Sequence, residues 1–130
     1  RHVGDRGELV RLDVPLQDHV GDVAYLAALE RWLPYAIERS RAELAFYLAG
    51  VDVVIGDRYG RLALTPEGLR RRDEFVLRSL RTAGIPCTIV LAGGYAASPE
   101  RTAELHAEAF RAARRLVWEN ERESASAPHQ

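Results

Sequence analysis

The sequence predicts an α/β fold in which parallel strands form the middle of a three-layer sheet flanked by helices. Two short continuous apolar runs, Leu44 to Ala49 and Pro86 to Leu91, lead into glycine-containing loops and read as strands buried on both faces. Between and after them, apolar residues recur every three or four positions, the period of an amphipathic helix. Strands that alternate with helices need crossover connections, so the strands are expected to be parallel.

The elements follow in order. Glu8 to Pro15 reads as an edge strand, with Leu9, Val10, Leu12 and Val14 apolar and Pro15 closing it. After a polar turn, Asp22 is expected to cap a helix whose inner face is Leu26, Leu29, Leu33 and Ile37. Pro34 falls inside that helix, and its missing N–H predicts a bend near Arg31 to Leu33. The first buried strand comes next, then a loop from Gly50 to Leu64. Thr65 is a good N-cap and Pro66 suits the first helical position of a second helix, where Gly68 is a mild penalty. Its inner face is Leu69, Val76, Leu80 and Ala83, and Gly84 ends it. The second buried strand runs into Ala92-Gly93-Gly94-Tyr95. A third helix begins near Ser98-Pro99-Glu100, with Ala103, His106, Phe110, Ala113 and Val117 turned inward. Residues 1–118 therefore read as one structured segment and 119–130 as a disordered polar tail.

Composition narrows the function. The 130 residues carry 18 basic and 19 acidic side chains, so no global field draws the chain to nucleic acid or to an anionic membrane. No apolar run approaches the roughly 20 residues that a spanning helix needs. Every basic residue is arginine, which GC-rich codons explain better than selection at each site. The lone Cys87 allows no internal disulfide and points to a cytoplasmic protein. The chain contains no methionine and begins at Arg1, so a part of a longer protein is expected.

In parallel α/β sheets, function collects at the carboxyl ends of the strands, and both loops there carry chemistry. Asp52, two residues past the first buried strand, can bind a hard or borderline metal, orient a base, or simply cap a turn. Tyr95 follows a glycine pair; its phenol can donate a hydrogen bond to a developing oxyanion, or pack half-buried. Asp57, in the turn-like Asp-Arg-Tyr-Gly, reads as structural, and His106 as a satisfied histidine on the inner face of its helix. Arg70-Arg71-Arg72 reads as a solvated face. The Gly93-Gly94 pair lacks both Gly-x-Gly-x-x-Gly and a following Lys-Ser/Thr, which sets a nucleotide site aside.

Taken together, these motifs resemble a known family. Tyr47-Leu48-Ala49-Gly50-Val51-Asp52, Gly56-Asp57-Arg58-Tyr59-Gly60-Arg61-Leu62, Leu64-Thr65-Pro66-Glu67-Gly68-Leu69, Arg72-Asp73 and Ala92-Gly93-Gly94-Tyr95 are similar to the C-terminal part of zinc-dependent histone deacetylase proteins, nearest their class IV and bacterial branch. Leu12-Asp13-Val14-Pro15-Leu16, Gly21-Asp22 and Tyr25-Leu26 fit the same family's preceding segment. The resemblance covers most of Leu12 to Leu116 and implies the C-terminal part of an arginase/deacetylase-like fold.

It also implies roles. Asp52 corresponds to a ligand of the catalytic Zn2+, Tyr95 to the tyrosine that polarises the acyl carbonyl, and Gly93 and Gly94 to the wall of an acyl-lysine channel. Asp57 matches a family position too, with loop support as its role. Val51, Tyr59 and Ala92 depart from the family's usual residues; the first two read as packing changes, the third as a change in acyl-chain preference. The family's Asp-x-His ligands and His-His pair have no counterpart in this chain. The expectation is a zinc-dependent amidohydrolase acting on acylated lysine or a related acylated amine, inactive as this chain alone. The alternative is a non-catalytic truncated product or interaction module that retains the fold.

Overall fold

The computed structural model describes residues 11–126. Five elements follow one another: α1 (Asp22–Ser40), β1 (Ala45–Leu48), α2 (Pro66–Thr82), β2 (Cys87–Val90) and α3 (Pro99–Ser126). β1 and β2 pair in parallel across the α2 crossover, with Ala45 opposite Cys87 and Leu48 opposite Val90. No helix among the described residues is long and apolar enough to cross a membrane.

The two strands are not buried on both faces. Tyr47, Cys87 and Ile89 pack against Leu77 of α2 and Ala112 and Leu116 of α3. On the other face Phe46 and Leu48 remain 65% and 64% exposed, and Val90 stands beside them. The described residues thus form two layers, a two-stranded sheet and its helices, where three were expected. A run apolar on both sides marks a strand that can be covered twice, and here one cover is present.

α1 starts one residue earlier than a cap at Asp22 would place it. Gly21 is the N-cap without a side-chain bond, and Asp22 is already helical. The Asp22 carboxylate instead accepts from the Thr65 N–H at 2.8 Å and the Thr65 hydroxyl at 2.6 Å, which fastens the start of α2 to the start of α1. Thr65 caps α2 as the sequence predicts, its hydroxyl accepting from the Gly68 N–H at 3.0 Å. Gly68 is required: a Cβ there would lie 2.0 Å from Asp22 Oδ1. α1 also runs through Pro34 as one continuous helix. Proline removes one ladder bond, and the helix continues on both sides of it.

Of the expected Glu8–Pro15 strand, 8–10 lie outside the described residues, and Arg11 to Pro15 form no strand. Leu12, Val14 and Leu16 instead share a groove with Tyr25, Leu29 and Trp32 of α1. α3 presents a different face from the expected one. Leu105, Ala109, Ala112 and Leu116 are buried, whereas Phe110 and Val117 are half exposed. Both stripes keep the helical period and differ by a rotation of about 100°, one residue. The alanines of the buried stripe let α3 lie close to α2. α3 also continues through Glu119 to Ser126, where the polar composition predicted a tail, and Arg78 of α2 bonds Glu119 at 3.0 Å.

Candidate functional site

The parallel pairing continues past the strands and joins the two loops. The Ala49 N–H donates to Val90 O at 2.9 Å, and the Val51 N–H to Gly93 O at 2.7 Å. Val51, 2% exposed, plugs into a cluster with Val54, Leu69 and Leu105. The next residue, Asp52, therefore leaves the core at the carboxyl end of the sheet.

Its carboxylate lies in a cradle made by two glycines. A Cβ at Gly93 would sit 2.5 Å from Asp52 Oδ2, and one at Gly50 would sit 3.1 Å from Oδ1. Gly60 is demanded from behind, because a Cβ there would come within 1.7 Å of the Asp52 carbonyl oxygen. Among the described residues no hydrogen bond or ion pair engages the Asp52 carboxylate. It does not cap a turn; its oxygens are free to take a cation.

A buried network holds this loop, and sequence reasoning missed it. Arg72 is 4% exposed and Asp73 1%, so Arg72 belongs to the interior and not to a solvated face. Its guanidinium donates to the Gly50 carbonyl at 2.6 Å and twice to Asp73 Oδ1, at 2.9 and 2.8 Å. The Tyr47 hydroxyl donates to the same carboxylate oxygen at 2.5 Å. Burial pushes the Tyr47 phenol far above its ordinary range, so it remains a donor. The signal was available: Leu69, Arg72, Asp73, Val76, Leu77 and Leu80 form one continuous helical stripe, and two charges inside it predict a buried pair.

Tyr95 stands on the neighbouring loop, its side chain exposed and its hydroxyl without a partner among the described residues. Its ring meets the Tyr59 ring edge-on at 5.1 Å. Its N–H donates to Asp57 Oδ2 at 2.6 Å. Asp57 Oδ1 also accepts from the Tyr59 and Gly60 N–H groups, at 2.9 and 2.8 Å. Partial burial would raise the Asp57 pKa, but these three bonds outweigh it and hold the carboxyl below its ordinary value.

Gly94 turns inward, since a Cβ there would meet Val51 Cγ2 at 2.4 Å and His106 Nε2 at 3.2 Å. His106 is not fully satisfied as expected: its Nδ1 is buried without a partner among the described residues. An open groove of about 700 Å3 runs from Tyr95 past His106 to Phe110 and Leu91. The structure thus brings Asp52, Gly93, Gly94 and Tyr95 together at one end of the sheet. No group of three His, Cys, Asp or Glu side chains able to hold a metal occurs among the described residues.

This geometry defines an α/β protein in which two glycine-containing loops meet at the carboxyl ends of parallel strands. More narrowly, the chain belongs to the histone deacetylase family: the profile of the histone deacetylase domain matches residues 2–113. Relatives agree. An uncharacterized protein of Picosynechococcus is 40% identical over 103 residues, covering 79% of this chain and 34% of the relative. Histone deacetylase 2 of Arabidopsis thaliana is 39% identical over 77 residues, 59% of this chain and 20% of the relative. A histone deacetylase-like amidohydrolase of Pseudomonas aeruginosa is 34% identical over 92 residues, 70% of this chain and 24% of the relative. The chain spans about a third or less of the length of these relatives.

Proposed function

We propose that the complete protein is a zinc-dependent amidohydrolase that removes acyl groups from lysine or a related amine. In this reading the chain contributes Asp52 as a zinc ligand and Tyr95 as the phenol that polarises the acyl carbonyl. The observation that carries it is the pairing of an unengaged carboxylate with an unengaged phenol on two loops joined at the carboxyl ends of parallel strands.

The two-glycine cradle suits a metal ligand, because it leaves the Asp52 oxygens open instead of burying them against N–H donors. Zinc, when bound, supplies Lewis acidity and lowers the pKa of a water. Tyr95 donates a hydrogen bond to the acyl oxygen as negative charge gathers there, the point at which a fixed donor lowers the barrier most. Gly93 and Gly94 form the wall of the acyl channel in this reading, Gly93 leaving room for the Asp52 carboxylate and Gly94 packing closely on Val51. The remaining ligands and the general base belong to other parts of the complete protein. A cytoplasmic location belongs to the same reading, supported by the free thiol of Cys87.

Tyr95→Phe in the complete enzyme is expected to lower kcat by about 10²-fold with zinc content unchanged. Asp52→Asn is expected to lose the zinc. Unchanged turnover in Tyr95→Phe refutes the assigned role. The bare apolar sheet face favours a second reading, a non-catalytic interaction module. The coding sequence upstream of Arg1 separates the two: a His-His pair followed by Asp-x-His supports the enzyme, and their absence supports the module.

A further inference from the structure

Asp57 does more than close its own turn. One oxygen, Oδ1, serves the local Tyr59 and Gly60 N–H groups, while Oδ2 reaches 38 residues along the chain to the Tyr95 N–H. The adjacent Arg58 N–H donates to the Tyr95 carbonyl at 3.0 Å. Both backbone polar groups of Tyr95 are thus held by two consecutive residues. The side chain beyond them is 60% exposed and beside an open groove, and its hydroxyl has no partner of its own among the described residues. Where the phenol points is therefore set by where its backbone is pinned and by the Tyr59 ring that meets it edge-on, and Asp57 also holds the Tyr59 N–H.

We propose that Asp57 is the positioning residue for Tyr95: its Oδ2 fixes the backbone from which the phenol projects, so that the hydroxyl is delivered to the acyl oxygen. The inference rests on the reading of Tyr95 as the polarising phenol. A hydrogen-bond donor contributes to catalysis only when it is already in place, and a misplacement of about 1 Å can cost 10²-fold. Three N–H donors converge on this one side chain, which an ionised carboxylate accepts and an amide cannot. Asp57→Asn keeps an acceptor oxygen for the turn and sets an NH2 group against the Tyr95 N–H, so it releases Tyr95 while sparing the turn.

The test measures kcat and KM in the complete enzyme for Asp57→Asn, Tyr95→Phe and the double variant. Melting temperature, zinc content and hydrogen exchange over residues 93–97 are followed alongside. Asp57→Asn is expected to lower kcat about 10-fold, leave KM and zinc content within about twofold, and speed exchange at 93–97. Added to Tyr95→Phe, it is expected to cost no more than about twofold further, because the hydroxyl it positions is gone. If the asparagine variant does not fold, Asp57→Ser, whose hydroxyl still reaches the turn, is put through the same comparison. A full multiplicative loss in the double variant makes Asp57 a fold support and overturns the proposal. An unchanged kcat in Asp57→Asn beside a lowered one in Tyr95→Phe also overturns it and leaves the reading of Tyr95 standing. An unchanged kcat in Tyr95→Phe removes both.

Discussion

The loop that carries Asp52 hangs from a buried ion pair, whereas the loop that carries Tyr95 hangs from a carboxylate near the surface. Behind Asp52, the buried Arg72–Asp73 pair is joined by the partly buried Tyr47, and Arg72 grips the Gly50 carbonyl two residues away. Behind Tyr95, Asp57 holds the backbone through main-chain N–H groups alone. The difference fits the roles proposed for the two side chains. A metal ligand needs a rigid seat, and an interior network supplies one because no water competes for its partners. A phenol that meets an incoming substrate works from a more open position, where a few backbone bonds are enough to fix it.

The comparison breaks first at Arg72. Arg72→Ala leaves Asp73 buried without its cation and frees the Gly50 carbonyl, a loss expected to destabilise the chain by about 3–5 kcal/mol. Urea unfolding measures it. A loss below about 1 kcal/mol makes the pair incidental and removes the contrast between the loops. Tyr47→Phe is milder, since Asp73 keeps both guanidinium bonds and loses only the phenol, so about 1–2 kcal/mol is expected by the same measurement.

The sequence carried the three helices and the two paired strands but not the expected strand ending at Pro15, and it misjudged what lies behind the two loops. Thr65-Pro66 marked the start of α2 because capping is local chemistry. Asp52 and Tyr95 stood out by their places after the two strands, and their proposed roles came only from the family resemblance. Arg72 was not, because three consecutive arginines look like surface until the helical phase separates the one that turns inward. α3 shows the same ambiguity, since two apolar stripes one residue apart satisfy the period equally and only its tertiary packing, chiefly on α2, chooses between them. The bare face of Phe46 and Leu48 shows the converse, for an apolar run announces that it can be covered but not by what.

The smallest effect is also the most selective, and it follows from the charge on Asp57. Its carboxyl is held below the ordinary carboxylate value because the folded state offers it three N–H donors that the unfolded chain does not. A depressed folded pKa adds stability that is fully present above the unfolded value and fades as pH falls through the folded one. Acidification below the ordinary aspartate range is therefore expected to loosen residues 93–97, together with the 57–60 turn, before it disturbs residues 50–52 of the Asp52 loop. The Gly50 carbonyl of that loop is held by a guanidinium that stays charged throughout. Hydrogen exchange followed from neutral pH downward, corrected for its intrinsic pH dependence, reads both loops in one sample. Loosening of the two in parallel would mean that a shared support, such as the Val51 to Gly93 bond, governs them, and that Asp57 adds nothing particular to Tyr95.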